Sequence, residues 1–455
     1  MGHEISYIKG RELIDHLIEN PAEFEKYHAS ELAKILKDIH LEESTDSFLV
    51  CLRSIPDEQL GEILLELPEH IKDDALEGLS AAKLSEVVDE LDSDDAADLM
   101  RDIEDIDEEK EQEVLSKLDD EDVKEIKKLK NYDENEAGSL MQTELFSAQA
   151  EEKVGQAIER LKKLRKENGL ENIHHVFLTD KFGYYVGSMP LEDVITFDFN
   201  ESFEKYFSEQ HKMIQPVKAT DPVSDVVKLF EDYDLVVLPV VDSKNRLIGR
   251  ITSDDIVDVI EDRATEQIYK MAGVDEESEE ERDIGAITKK RAIWLGVNLL
   301  TAILASFVIG LFDDTIKTYV ALAVLMPIVA SMGGNAGTQS LTVMVRQLAL
   351  GEIGWSESRS AILREFTVSL LNGVIFAIVM GLIAFLWFND TKLGIVIGIA
   401  MVINLIFAGL FGSLIPLGLK RIGVDPAVAS SVLLTTVTDV VGFFAFLGLA
   451  KLILV

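Results

Sequence analysis

The sequence holds a single cysteine, Cys51, so no disulfide framework can brace it, which suits a reducing cytosol. Cys51 stands among Phe48, Leu49, Val50 and Leu52 and reads as a small buried hydrophobe. Histidine stops at His211, so the last half of the chain has neither Cys nor His. That argues against a thiolate or imidazole site for zinc or copper there. No Gly-x-x-x-x-Gly-Lys-[Ser/Thr] loop is present, which removes the P-loop route to ATP hydrolysis. No Ser/His/Asp or Cys/His arrangement marks a hydrolase, and the chain is not expected to be an enzyme. Met1 to Lys9 lacks an apolar core of secretory length, so no signal peptide is expected.

Positive charge is scarce as well: 43 Lys and Arg face 82 Asp and Glu, and the imbalance is confined to one region. From Ile284 onward there are 11 basic and 8 acidic residues, whereas the first 283 hold 32 basic and 74 acidic ones, a net of −42. A region so acidic repels nucleic acid and anionic membrane surfaces and attracts cations, although any one of its carboxylates is more often simply solvated.

What the second part has in quantity is long apolar runs. Five of them, Ala292 to Phe312, Tyr319 to Val345, Phe366 to Phe388, Leu393 to Leu419 and Ala427 to Ala450, reach the roughly 20 helical residues needed to cross about 30 Å of hydrocarbon. Lys289, Lys290, Arg291, Arg346, Arg359, Arg364, Lys420 and Arg421 fall on one side of these spans, against Lys317, Lys392 and Lys451 on the other. The positive-inside rule then predicts a multi-pass protein of the cell membrane, N-terminus cytoplasmic and C-terminus outside.

Two spans depart from plain apolar composition. In the second, Pro327 is followed by Met332-Gly333-Gly334-Asn335-Ala336-Gly337-Thr338-Gln339. Glycines here serve either close helix packing or a pore, and amides facing lipid would be costly, so Asn335 and Gln339 point toward water or protein. In the fifth, Leu434-Thr435-Thr436-Val437-Thr438-Asp439 sets the only carboxylate deep within any of the five runs. A mid-bilayer acid costs a few kcal/mol or more and is a functional candidate by default; the bland reading is a protonated Asp bonded to Thr435 or Thr436. Carboxylate, amide, hydroxyl and carbonyl oxygens are the donors a hard cation takes, and Mg2+, which sheds water reluctantly, passes most cheaply still hydrated. One Asp forms a better ring if two subunits each supply it.

The acidic part divides in two. Residues 1–136 repeat short amphipathic helices, such as Asp57 to Leu67, Ala82 to Leu91 and Asp94 to Ile103 with Asp94 as N-cap, a pattern that predicts a helical superhelix. From Ala137, two units alternate helix and strand: helices at Gly155 to Leu164, Leu191 to Ile195, Val223 to Tyr233 and Asp254 to Asp262, and strands at Val176 to Thr179, Tyr184 to Ser188, Val236 to Val241 and Arg246 to Thr252. The expected domains are 1–136, 137–200, 201–262, a linking helix over 263–283 and a membrane domain over 284–455.

These features together resemble the MgtE family of magnesium channels over nearly the whole chain. The carrying segments are Tyr132 to Met141, the tandem units as CBS units, Pro327 to Gln339, and Thr435 to Phe443 after Gly423-Val-Asp-Pro-Ala427. The resemblance implies a multidomain fold, α plus α/β, with a superhelix, a CBS pair and five transmembrane helices. It implies a homodimer with a pore on its two-fold axis, lined by Gly333, Gly334, Asn335, Gly337, Gln339, Ser431, Thr435 and Thr436, with Asp439 selecting the ion. Glu62, Asp94, Asp98, Asp234, Asp255, Asp258 and Glu266 match positions that hold regulatory Mg2+. Ser431 replaces an Asn found in relatives, and Arg263, Gln267, Pro222 and Ser224 stand where relatives can carry acids. Some relatives bind ATP at the CBS pair, where Leu235 here replaces an aromatic. The expected function is Mg2+ conduction, shut by cytosolic Mg2+. The alternatives are a proton- or sodium-coupled divalent cation exchanger and a membrane-anchored nucleotide sensor.

Overall fold

The structure, a computed structural model, describes residues 2–167, 170, 172–209, 214–274, 284–349, 353, 358–428 and 430–455. It divides into two compact units, Met1–Glu261 and Asp262–Val455.

The first unit opens with nine short helices: α1 (Gly2–Glu19), α2 (Ala29–Glu42), α3 (Thr45–Ser54), α4 (Asp57–Leu65), α5 (Glu69–Gly78), α6 (Ala81–Asp89), α7 (Ser93–Ile106), α8 (Glu108–Leu115) and α9 (Asp120–Lys130). Their ends are written in the sequence. Ser44 and Ser80 cap α3 and α6 through bonds from the amides of Ser47 and Lys83, Asp107 caps α8, and Pro56 and Pro68 open α4 and α5. Each helix packs on the next but one, α2 on α4, α4 on α6, α6 on α8, and α3 on α5, α5 on α7, α7 on α9, which is the winding of a superhelix. Phe24, Leu36, Phe48, Leu60, Ile63, Leu84 and Leu99 fill its axis. Cys51 is buried as expected, and its sulfur accepts a bond from Arg11 Nη1 at 2.9 Å.

Two three-stranded sheets follow with the same topology. In the first, β1 (Ser147–Gln149) pairs in parallel with β2 (His175–Thr179), which pairs antiparallel with β3 (Tyr185–Pro190). In the second, β4 (Val217–Lys218), β5 (Val237–Val241) and β6 (Leu247–Thr252) repeat that order. Helices α10 (Val154–Glu167), α11 (Leu191–Thr196) and α12 (Phe203–Glu209) accompany the first sheet, and α13 (Val223–Tyr233) and α14 (Ser253–Ala272) the second. The sheets interlock: Phe177, Tyr185, Val237 and Val241 share one cluster, Tyr185 N–H donates to Asn245 O, and Leu247 N–H donates to Gly183 O. Ala97 of α7 and Leu129 of α9 bury into the core of the second sheet with Val223, Leu238 and Ile251.

Among the described residues, the second unit contains five helices long and apolar enough to cross a membrane: Ile284–Gly310, Ala321–Ala349, Ser358–Phe388, Thr391–Arg421 and Ser430–Ile453. The first begins eight residues before the apolar run, and the third begins at Ser358, which brings Glu365 inside it. The second stays helical through Pro327 and the glycine motif. The fourth lies at the centre, packed on the second, third and fifth. Its glycines permit this: a Cβ on Gly412 would stand 2.8 Å from Gly337 O, and one on Gly394 2.6 Å from Gly381 O. Of the linking stretch, α14 reaches Ala272, while 275–283 lie outside the described residues.

Candidate functional site

The acidic positions of the first unit meet where α7 and α14 begin. α7 starts at Ser93 with Asp92 as its N-cap, so Asp94 is not the cap; it lies within the first turn, where its Oδ1 accepts from Asp95 N–H at 3.0 Å. Ser93 Oγ fixes that start by donating to Glu144 Oε2 and accepting from Thr143 N–H, each at 2.9 Å. Asp94 is only 4% exposed. Its carboxyl is pushed well above the usual range by burial and then by Asp255 and Asp95. Burial likewise pushes Asp95 up to about 7, with Asp255, Asp98, Asp92 and Asp254 acting in the same direction. Asp255 is pushed up to about 6 by burial, against a 2.8 Å bond from Thr252 Oγ1 and with Asp254 and Asp258 adding to the rise. Asp98 is drawn up to about 6 by burial, against its ion pair with Arg101. Half its side chain still meets solvent, so water screens this shift most.

Like charges are therefore crowded here and no basic side chain is placed between Asp94, Asp95 and Asp255 by any bond described. Among the described residues no three His, Cys, Asp or Glu side chains converge on a metal-holding geometry. The arrangement offers carboxylates to an ion that keeps its water, not a preformed cage. Asp95 is the member of this cluster that motif matching left out. Two expected members stand apart. Glu62 is exposed on α4, and Asp234 is the exposed C-cap of α13 at φ +50°, a left-handed turn position that Asp tolerates. Glu266, in the second unit, binds Lys270 Nζ at 2.5 Å, and the same ammonium binds Asp425 Oδ2 at 3.0 Å. Lys270 thus ties the end of α14 to the loop before the fifth membrane helix, and Met271 packs beside Leu341, Val345, Ala427 and Leu434.

In the membrane unit, Gly337 meets Leu434, and Gly333 and Gly442 both close on Asn404. The second and fifth helices thereby run antiparallel in a register that sets Asn335 and Asp439 at one depth. Asp439 is partly exposed, and among the described residues no hydrogen bond or ion pair engages its carboxylate. The hydroxyls that could have held it donate elsewhere: Thr435 Oγ1 to Ser431 O at 2.8 Å and Thr436 Oγ1 to Val432 O at 2.7 Å. Their protons are spent on their own helix, leaving oxygen lone pairs outward. Asn335, Gln339 and Thr435 are exposed, Ser431 and Thr436 partly so, and a Cβ on Gly334 would meet nothing within 4 Å. Gly333 and Gly337, expected along the pore, are closely packed in this chain. They are buried, and a Cβ on Gly333 would lie 2.3 Å from Asn404 Nδ2.

Asn404 is the residue of this site that the sequence reading missed. It is fully buried in the fourth helix, its Nδ2 donates to Val329 O at 2.8 Å, and among the described residues its Oδ1 has no partner. The available signal was a lone amide within an otherwise apolar run.

Comparison with known proteins bears on this arrangement. Residues 326–449 match the MgtE divalent cation transporter family, 27–135 match the MgtE intracellular N domain, and 211–262 match the CBS domain. The magnesium transporter MgtE of Thermus thermophilus is 32% identical over 332 residues, which cover 72% of each chain. The chain belongs to the MgtE family. MgtE of Enterococcus faecalis is 33% identical over 327 residues, covering 72% of this chain and 71% of its own. A solved MgtE cytosolic domain in complex with ATP aligns to 52% of this chain and 97% of its own at 28% identity and a TM-score of 0.45. As a multi-pass MgtE protein, the chain serves divalent cation transport, with magnesium the ion named for its relatives.

Proposed function

We propose that this MgtE protein is a Mg2+ channel, a homodimer whose pore lies on the two-fold axis, shut when cytosolic Mg2+ binds its acidic region. The observation that carries the reading is Asp439, a carboxylate midway along a membrane helix, partly exposed and engaged by no described residue. Such a group is costly in hydrocarbon and is maintained where it faces water and a cation. Asn335 at the same depth and the outward oxygens of Thr435 and Thr436 supply neutral ligands to the ion's water shell. A second copy would double this ring and cover the exposed amides of the second helix.

Gating follows from the crowded carboxylates. Two unit charges about 5 Å apart at an effective dielectric of about 20 repel by about 3 kcal/mol, enough for a few pairs to move a two-state gate. With Mg2+ scarce, Asp94, Asp95 and Asp255 repel; with Mg2+ present, the ion bridges them. By resemblance, Glu62, Asp98, Asp234, Asp258 and Glu266 are further candidate Mg2+ ligands, and α14 passes the change toward the fifth membrane helix through Lys270 and Asp425. The excess of basic residues flanking the spans supports a cytoplasmic N-terminus and an outside C-terminus. ATP at the CBS pair is a further candidate ligand by resemblance, with Leu235 in place of the aromatic.

The test is Mg2+ flux through purified protein in liposomes. Asp439→Ala is expected to abolish it, and flux that survives the substitution refutes the pore assignment. Currents that reverse at the Mg2+ equilibrium potential regardless of a pH or Na+ gradient separate a channel from an exchanger.

A further inference from the structure

The third membrane helix was read as beginning after Glu365, and the structure instead seats that carboxylate inside the bundle. Glu365 is 8% exposed, and its Oε2 accepts a bond from Ser340 Oγ of the second helix at 2.9 Å. It heads a regular ladder, since Glu365, Ser369 and Asn372 follow at i, i+4 and i+7 and so share one helix face. Across from them the second helix presents Asn335 and Gln339, again four apart. Between the two ladders runs a cavity of about 500 Å³ lined by both. It extends from Glu365 to Phe376 on one wall and from Val343 to Met332 on the other, so at 1.5 Å per residue it is about 16 Å long, half the hydrocarbon thickness. One end lies toward the helix ends that carry Arg346, Arg359 and Arg364. The other lies at the depth shared by Asn335 and Asp439.

A ladder of amides, hydroxyl and carboxylate at membrane depth lines water or protein, not lipid. Six waters at about 30 Å³ each give a hydrated divalent ion a volume of about 180 Å³, which fits this trough with space left over. A bare ion would need six oxygens at about 2.1 Å, and one carboxylate with scattered amides cannot supply them. The only described counter-charge is Arg364, whose Nε stands 3.6 Å from Glu365 Oε1 on a side chain 53% exposed, a loose contact that an incoming cation can displace.

We propose that this trough is a second intramembrane station for a hydrated divalent cation, with Glu365 as its charged ligand and Gln339, Asn335, Asn372 and Ser369 holding the ion's water. It deepens the permeation reading, because an ion leaving the Asp439 level would pause here at the arginine-rich end.

The test uses Mn2+ as the probe and the full chain in lipid nanodiscs. The protein carries Cys51→Ser, Asp439→Asn to silence the pore carboxylate, and Leu371→Cys bearing a nitroxide on the exposed side of the third helix. Mn2+ is expected to enhance the nitroxide's relaxation saturably. Glu365→Gln, which keeps an acceptor for Ser340 and therefore the fold, is expected to weaken the apparent affinity about tenfold or more. Arg364→Gln is expected to strengthen it, an effect that a merely structural role for Glu365 would not produce. An unchanged titration in Glu365→Gln, or no saturable enhancement in the parent, overturns the proposal. Liposome flux that ignores Asp439→Ala while this titration behaves as described would instead refute the pore reading and leave the station standing.

Discussion

If protons and Mg2+ compete for the carboxylates at the start of α7 and α14, then Mg2+ binding to the cytosolic region must expel protons, by an amount that the structure sets. The folded-state values lie above the usual 3.8, so these groups carry a penalty that is absent below about pH 4, grows through pH 6 to 7 and is complete near pH 8. With Asp95 at about 7 and Asp255 at about 6, the two together hold about 1.4 protons at pH 6, about 0.6 at pH 7 and about 0.1 at pH 8. Each Mg2+ that bridges them releases that number together with the proton held on Asp94, whose carboxyl burial also raises. Raising Asp95 from 3.8 to about 7 corresponds to about 4 kcal/mol, so an ion that lets it ionise also tightens α7 against α14 in measure. The assay is isothermal titration of Mg2+ into the Asp439→Asn chain in buffers of different ionisation enthalpy, whose slope counts protons. Asp95→Asn is expected to lower the count at pH 7 by about half a proton and to weaken binding. A count that stays constant from pH 6 to 8, or that Asp95→Asn leaves unchanged, would show that these carboxylates are not where the ion binds.

Two further substitutions probe the membrane unit. Gly333→Ala places a methyl group 2.3 Å from Asn404 Nδ2, and overpacking of this kind costs about 1–3 kcal/mol. Its melting temperature in detergent should fall and recover partly in the double variant with Asn404→Ser, whereas simple additivity would contradict the contact. Lys270→Gln leaves Glu266 and Asp425 facing each other without their shared ammonium. Because the pairs are partly exposed and together worth about 1 kcal/mol or less, liposome uptake at low internal Mg2+ should rise no more than about fivefold. No rise would show that the contact does not couple α14 to the pore.

Much of the architecture could be read from the residues because its signals are local. The helix over Val223–Tyr233 was read to the residue, since Pro222 opens it and Asp234 turns the chain at its end. The five spans were found through length and apolarity, which need no neighbour to interpret. The three-residue strand Ser147–Gln149 and the two-residue strand Val217–Lys218 escaped, as each is extended only because a longer strand pairs with it. The same limit applies to the sites. Asp439 announced itself by contrast with its own helix, but the roles of Gly333 and Asn404 depend on what crosses them from another helix. Glu365 was set outside its span because Arg359 and Arg364 interrupt the apolar run, although both can reach the membrane surface while the carboxylate turns inward. Asp95 gained its importance from Asp255, 160 positions away.

The interlocked sheets carry a mechanical corollary. Phe177 and Tyr185 from one repeat share a cluster with Val237 and Val241 from the other, and backbone bonds stitch the turns at Gly183 and Asn245 across the seam. Neither half-sheet is large enough to persist by itself. Denaturant should therefore melt both repeats in one step, and a ligand gripping one half stiffens the other as well.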